Sequence, residues 1–155
     1  MSVERILERR SAELGGRVAE AAEVAALAAG AATPLPPLLA GWMLRFPLCG
    51  TEFALAEEED ESGLGVEMKW MTPGEMVSEA VDAYPGILAV PAGFLPVGMC
   101  LIGSGDPYFL EGAGDDPPLV RIPHDSAAGG ERLDLGRIER VSARLGDFLS
   151  KAAIG

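Results

Sequence analysis

Apolar residues along the chain follow patterns that predict helices at both ends and short strands between them. Residues 3–14 and 17–29 are rich in Ala, Glu and Arg and predict two helices with a break at Gly15–Gly16. Farther along, apolar residues recur at helical spacing from Leu38 to Phe46, and Pro47 is expected to end that helix.

The segment KWMTPGEM carries the clearest local signal for a helix start. Thr72 is placed as the N-cap, Pro73 occupies the first helical position, and Glu75 completes a capping box. Met71 and Met76 are positioned for the hydrophobic contact that often accompanies this cap. The helix is expected to end at Pro85-Gly86, with a buried face made of Met76, Val77, Ala80, Val81 and Tyr84.

Short apolar segments predict a sheet in the rest of the chain. Thr51–Ala56 predicts a strand that runs into the acidic loop 57–61, and Leu64–Met71 predicts its returning partner. Further strand-like pieces, separated by Pro and Gly, are ILAV, FLPVGMCLI, PYFL, LVRI and RIERV. They follow one another too closely for crossover helices, so the sheet should be mainly antiparallel. Ser142 is expected to cap a last helix that buries Leu145, Phe148, Leu149 and Ala152. Together these elements predict an α+β fold, with helices packed against the sheet.

An uncharged stretch from Val24 to Leu44 is long enough to span a bilayer. Its cluster of prolines at residues 34–37 would leave backbone groups unpaired in lipid, which argues against a membrane segment. The charged N-terminus lacks an apolar signal core. With two cysteines, Cys49 and Cys100, the chain has neither a disulfide framework nor a metal cluster, and buried thiols are expected. We therefore expect a soluble cytoplasmic protein with no membrane partner.

The net charge of -12 is unevenly distributed along the chain. Residues 1–50 hold five Arg and five Glu, whereas residues 51–155 hold nineteen acidic and seven basic residues. Such a field repels nucleic acid and favours basic partners. The acidic runs are either solvated loops or a surface that meets a basic protein. The candidate partner-binding residues are Glu57, Glu58, Glu59, Asp60 and Glu61, then Asp115 and Asp116, with Tyr108 as the nearest aromatic anchor.

The sequence gives little support for catalysis, and no catalytic, cofactor-binding or metal-binding residue is assigned. Gly103-Ser104-Gly105 is followed by Asp106 and another strand, which indicates a hairpin turn and not a phosphate loop. His124 and Asp125 are expected at a strand end, where adjacent side chains point to opposite faces and cannot pair. A hydrolase centred on His124 remains as an alternative. It requires a pocket in which His124 meets a carboxylate other than Asp125.

Five segments, in this order, resemble the SUKH superfamily, which unites a yeast cell-wall-synthesis regulator with many bacterial toxin-immunity proteins. They are LPPLLAGW, WMTPGEM, PVGMCLIGSGDPYFL, PPLVRIPHD and SARLGDFLSKA, and they cover about residues 33–152. The pattern departs from the family after the first family helix, where the usual Gly-Gly-rich turn appears only as Pro47-Leu48-Cys49-Gly50. The resemblance implies a curved, mainly antiparallel sheet flanked by helices over residues 33–155, preceded by an N-terminal helical extension over residues 1–32.

The resemblance also implies a binding protein and not an enzyme. Many bacterial members of the family are immunity proteins that bind a cognate toxin, often a nuclease. The leading hypothesis is therefore a non-enzymatic immunity protein whose acidic surface occludes the basic groove of a toxin. The second is an intracellular regulatory or scaffold domain that binds endogenous proteins, and the third is the hydrolase that uses His124.

Overall fold

The computed structural model describes all 155 residues, which form six α-helices and one seven-stranded antiparallel sheet. The helices are α1 (Val3–Arg10), α2 (Ala21–Gly30), α3 (Pro37–Arg45), α4 (Pro73–Asp82), α5 (Gly86–Ala89) and α6 (Leu145–Lys151). The strands are β1 (Glu52–Leu55), β2 (Val66–Trp70), β3 (Phe94–Cys100), β4 (Tyr108–Glu111), β5 (Leu119–Arg121), β6 (Glu139–Ser142) and β7 (Ala153–Ile154). Their order across the sheet is β6-β5-β4-β3-β2-β1-β7, and the sheet curls into a half-barrel. The α+β fold with a curved antiparallel sheet is confirmed.

The main core lies between the inner face of the sheet and the helices. Phe53 on β1 and Met68 and Trp70 on β2 point inward, while the residues between them point outward, as a strand's alternation requires. A smaller core covers the outer face of β3, β4 and β5, where α5 and the 122–138 segment pack on it. The outer face of β1, β2 and β7 carries no such cover.

The N-terminal helices belong to the main core. Val3, Ile6 and Leu7 of α1 are buried in the same cluster as the buried face of α6. Arg10 Nη1 donates hydrogen bonds to the carbonyl oxygens of Leu149 at 2.7 Å and Ala152 at 2.6 Å, which satisfies the C-terminal end of α6. The predicted N-terminal extension, residues 1–32, therefore packs against the rest of the chain.

The predicted helix over residues 17–29 was wrong at its start, because α2 begins only at Ala21. Arg17 instead pairs with Cys49 in an isolated antiparallel bridge, with backbone N···O distances of 2.8 and 3.1 Å. Gly16 lies so close to this bridge that a Cβ atom there would overlap the Cys49 carbonyl group. Glycine is required at position 16 because the chain approaches the Cys49 backbone closely there.

The start of α4 agrees with the sequence in detail. Thr72 Oγ1 accepts a hydrogen bond from Glu75 N, and Glu75 Oε1 accepts one from Thr72 N at 2.9 Å, so the capping box is complete. The expected buried face was too wide, since Val81 and Tyr84 are exposed.

Two further predictions of local structure were wrong. The ILAV segment forms most of helix α5 and not a strand. Ser142 ends β6 and donates a hydrogen bond to Arg144 O at 2.7 Å, and Arg144 is the N-cap of α6. The buried face of α6 is as predicted, with Leu145, Phe148, Leu149 and Ala152 all inside the core. None of the helices combines the length and the apolar composition that crossing a bilayer requires.

Candidate partner-binding surface

The acidic run at residues 57–61 divides into an exposed part and an anchored part. Glu57, Glu58 and Glu59 form one turn of 3₁₀ helix, and their exposed carboxylates make no hydrogen bond or ion pair. Asp60 turns inward and is buried. Glu61 is exposed, but its Oε2 accepts a hydrogen bond from Ala143 N at 2.7 Å. The three consecutive exposed glutamates are called the acidic ridge below.

Asp60 is anchored by Arg121, a buried arginine on β5 that the sequence did not single out. Arg121 Nη2 lies 3.6 Å from Asp60 Oδ2 and donates a hydrogen bond to Gly65 O at 2.6 Å. The guanidinium also donates to Ser62 Oγ at 3.1 Å, to Glu139 Oε1 at 3.1 Å and to the Tyr108 hydroxyl at 3.2 Å. Arg121 therefore ties the β1–β2 connection to strands β4, β5 and β6 across one end of the half-barrel.

The burial of Asp60 and Tyr108 corrects the predicted partner-binding set. The side chain of Asp60 has no exposed area, and Tyr108 is fully buried, so neither presents a surface to a partner. Burial raises the pKa of Tyr108 above its ordinary value, although the neighbouring Arg121 guanidinium opposes that shift. The tyrosine is a core residue that accepts hydrogen bonds from Arg121.

Asp115 and Asp116 lie in the loop between β4 and β5. The antiparallel register places the β1–β2 and β3–β4 connections at one end of the sheet and the β4–β5 loop, which holds both aspartates, at the other. Asp116 Oδ1 accepts a hydrogen bond from Gly146 N at 2.7 Å in the first turn of α6, and Asp115 is exposed. Asp116 therefore has a structural partner in Gly146, three residues along the chain from Ala143, whose amide donates to Glu61.

Exposed apolar side chains lie next to the acidic ridge on the uncovered outer face of β1, β2 and β7. Two shallow grooves of about 330 and 400 Å³ share this face, one reaching Leu101 and the other Leu64 and Ile102. We call the surface formed by these two grooves the outer-face patch. It consists of Ala54, Leu64, Glu67, Leu101, Ile102 and Ala153, and Glu52 and Glu57 lie on its rim. The sequence analysis did not identify this surface.

Backbone hydrogen bonds hold the two apolar residues of the β3–β4 connection in place. Leu101 N donates to Glu67 O at 2.9 Å, which extends the pairing with β2, and Gly105 N donates to Ile102 O at 3.2 Å. Gly105 has a φ of 67°, a conformation that favours glycine. The Gly103-Ser104-Gly105 segment is thus a turn between two strands, as predicted.

A separate cleft of about 670 Å³ lies between α4 and the end of β3. Its lining includes Glu75, Glu79 and Asp82 from α4, together with Met99 and Cys100 from β3. Burial raises the pKa of Glu79 above its ordinary value, although its Oε2 accepts a hydrogen bond from Gly86 N at 3.0 Å.

His124 lies near this cleft and pairs with Asp106. Its Nδ1 is 2.7 Å from Asp106 Oδ1, and the same oxygen accepts a hydrogen bond from His124 N at 3.1 Å. His124 begins a 3₁₀ turn and does not end a strand, since β5 stops at Arg121. This is the contact with a second carboxylate that the hydrolase alternative required. No hydroxyl or thiol group is hydrogen-bonded to the ring, so the pair lacks an attached nucleophile.

Both cysteines are free. Cys49 is buried, and burial raises the pKa of its thiol to about 11. Cys100 is only partly buried, contrary to expectation, and its Sγ lies 3.5 Å from Ser104 Oγ. No cluster of His, Cys, Asp and Glu with the arrangement of a metal site is present.

Comparisons with known proteins yield no family model, no curated protein and no solved structure that matches this chain.

Proposed function

We propose that this chain is a non-enzymatic protein-binding domain of the SUKH type that acts in the cytoplasm as an immunity protein. It binds a basic toxin domain and covers the groove through which that toxin contacts its substrate. The observation that carries this proposal is the acidic ridge, where Glu57, Glu58 and Glu59 are exposed side by side without a cationic partner in the chain.

Unpaired carboxylates in a fixed turn suit recognition of a basic surface. Charges of this kind speed diffusional encounter and reject like-charged partners, because the summed field acts before contact is made. The net charge of the whole chain, -12, strengthens the effect. A toxin that binds nucleic acid would present the complementary charge, and the domain would compete with nucleic acid for it.

The test uses the toxin candidate encoded beside the gene for this chain. Co-expression should restore growth, and the purified proteins should form a complex whose association rate falls as salt is added. In Glu58→Lys/Glu59→Lys the association rate should drop by about tenfold or more, because two charges of the ridge change sign.

The matched control is Glu111→Lys/Glu131→Lys, which alters the net charge by the same amount at exposed positions away from the ridge. It should retain most of the association rate. Equal effects of the two variants would refute the assignment to the ridge. Failure of every adjacent gene product to bind would refute the immunity role and favour a scaffold domain with endogenous basic partners.

The hydrolase alternative is supported by one contact, the pairing of His124 with Asp106 beside the α4 cleft. A His124→Ala variant separates the two functions. Protection against the toxin should be unchanged in this variant if the chain acts by binding, whereas a hydrolase would lose its activity.

A further inference from the structure

We infer that the outer-face patch is a docking surface for an amphipathic basic segment of a partner protein, in which aliphatic side chains are flanked by Lys or Arg. This inference rests on the proposed function and deepens it, because it assigns the apolar part of the interface and the chemistry of the partner that covers it.

The first support is the exposure of three aliphatic side chains on one face. Leu64 is 58% exposed, Leu101 is 43% exposed and Ile102 is 46% exposed. All three line the two grooves that share Ala54, Glu67 and Ala153 as their floor. Clustered aliphatic residues of this kind, surrounded by polar residues, are typical of protein-binding surfaces.

The second support is that the surface is already formed. Ala54 on β1 is paired with Ala153 on β7 and with Glu67 on β2, so the floor of the patch is regular sheet. The backbone bonds of the β3–β4 turn hold Leu101 beside this floor. A partner therefore meets a fixed surface and loses little of its binding energy to ordering this chain.

The third support is the charge around the apolar residues. Glu52, Glu57 and Glu67 line the grooves, and Lys69 lies two residues from Glu67 on the same face of β2. A second copy of this chain would oppose carboxylates to carboxylates, and an anionic membrane would be repelled. A segment with Lys or Arg beside an aliphatic side chain would pair with the carboxylates of the patch and also cover its aliphatic residues.

The experiment follows backbone amide resonances of the full chain while a peptide is added. The probe is a short amphipathic peptide of Leu and Lys, compared with a peptide of the same pattern in which Glu replaces Lys, and with polylysine. The Leu/Lys peptide should shift the resonances of Ala54, Leu64, Glu67, Leu101 and Ile102. The Leu/Glu peptide should not bind. Polylysine should bind more weakly, because it lacks the aliphatic contacts.

Two double variants test the apolar contribution at equal change of charge. Leu101→Asp/Ile102→Asp should weaken binding of the Leu/Lys peptide by about tenfold or more. The control Leu44→Asp/Leu135→Asp replaces two other exposed leucines and should bind as the unaltered chain does. Equal losses in both variants, or shifts confined to other surfaces, would overturn the inference.

Together with the toxin experiment, the peptide experiment distinguishes failure of the docking surface from failure of the immunity role. If the peptide binds at the patch while no adjacent gene product is neutralised, the docking surface stands and the immunity role fails. If a toxin is neutralised equally well by Leu101→Asp/Ile102→Asp, the immunity role stands and the docking surface is wrong.

Discussion

Replacing Arg121 should cost more stability than replacing any other charged residue of the chain. Its guanidinium is buried between the β1–β2 connection and strands β4 to β6, and it is the shared donor to Gly65 O, Ser62 Oγ and the Tyr108 hydroxyl. Arg121→Met keeps most of the side-chain length and removes every one of these hydrogen bonds.

The expected loss of unfolding free energy in Arg121→Met depends on the buried polar groups that the substitution leaves without a hydrogen-bond partner. A buried polar group that loses its hydrogen bond costs about 1–3 kcal/mol, and removal of one member of a buried ion pair costs about 3–5 kcal/mol. Asp60 is not fully orphaned, since it still accepts from Ser62 N at 2.8 Å and from Ser62 Oγ at 2.7 Å. We therefore expect a loss of about 3–4 kcal/mol for Arg121→Met, near the lower end of the ion-pair range.

The assay is urea unfolding followed by circular dichroism, with a double-mutant cycle to isolate the Arg121–Asp60 coupling. Asp60→Asn alone should cost about 1–2 kcal/mol, because Arg121 keeps its other acceptors. The double variant should cost less than the sum of the two single variants. Arg140→Met is the matched control on β6 and should change the free energy of unfolding by less than about 0.5 kcal/mol, because Arg140 is exposed and unpaired. A loss below about 1 kcal/mol for Arg121→Met would refute the reasoning.

Three further predictions concern single positions. Gly16→Ala should destabilise the fold by about 2 kcal/mol or more in urea unfolding, because its Cβ would overlap the Cys49 carbonyl, whereas Gly15→Ala, which has open space, should be nearly neutral. In the native protein a thiol reagent should label Cys100 and spare Cys49, as mass spectrometry would show, because Cys49 is buried and its pKa is raised to about 11. Glu79→Gln should gain stability relative to the unaltered chain as the pH rises from about 4 to about 7 in a series of unfolding curves. Burial raises the pKa of Glu79, so the protonated carboxyl group stabilises the fold of the unaltered chain at low pH. That contribution is lost once the carboxylate ionises, and the Gln variant has no such loss. A difference independent of pH would contradict this last prediction.

Local signals in the sequence were sufficient for much of the fold. The capping box at Thr72, the pairing of the first two strands and the buried face of α6 each depend on residues close together in the chain. The predictions of local structure were wrong where the backbone pairs with a segment that is distant in the sequence. Arg17 was assigned to a helix by its neighbours, yet its backbone pairs with Cys49 on a distant segment. The two-residue strand β7 is defined only by its pairing with β1.

The candidate site could be predicted only in part. The acidic run is visible in the sequence, but which carboxylate turns inward depends on Arg121, a residue some sixty positions away that reaches back across the curled sheet. The outer-face patch was harder to predict from the sequence, because Leu101 and Ile102 continue the apolar pattern of strand β3 and so do not stand out as exposed residues. Their exposure follows from the absence of a helix over that part of the sheet.

The anchored and exposed parts of the acidic run have complementary consequences for binding. Asp60 is held by Arg121, and Glu61 is held by the backbone of the segment that follows β6, so the chain that carries the acidic ridge is fixed at its C-terminal end. A fixed ridge limits the conformational entropy that is lost when a partner binds. Because Glu57 also lines a groove of the outer-face patch, the charged and apolar surfaces adjoin. Under the proposed function, the buried arginine contributes to recognition without contacting the partner, since it determines where the exposed carboxylates lie relative to the apolar residues.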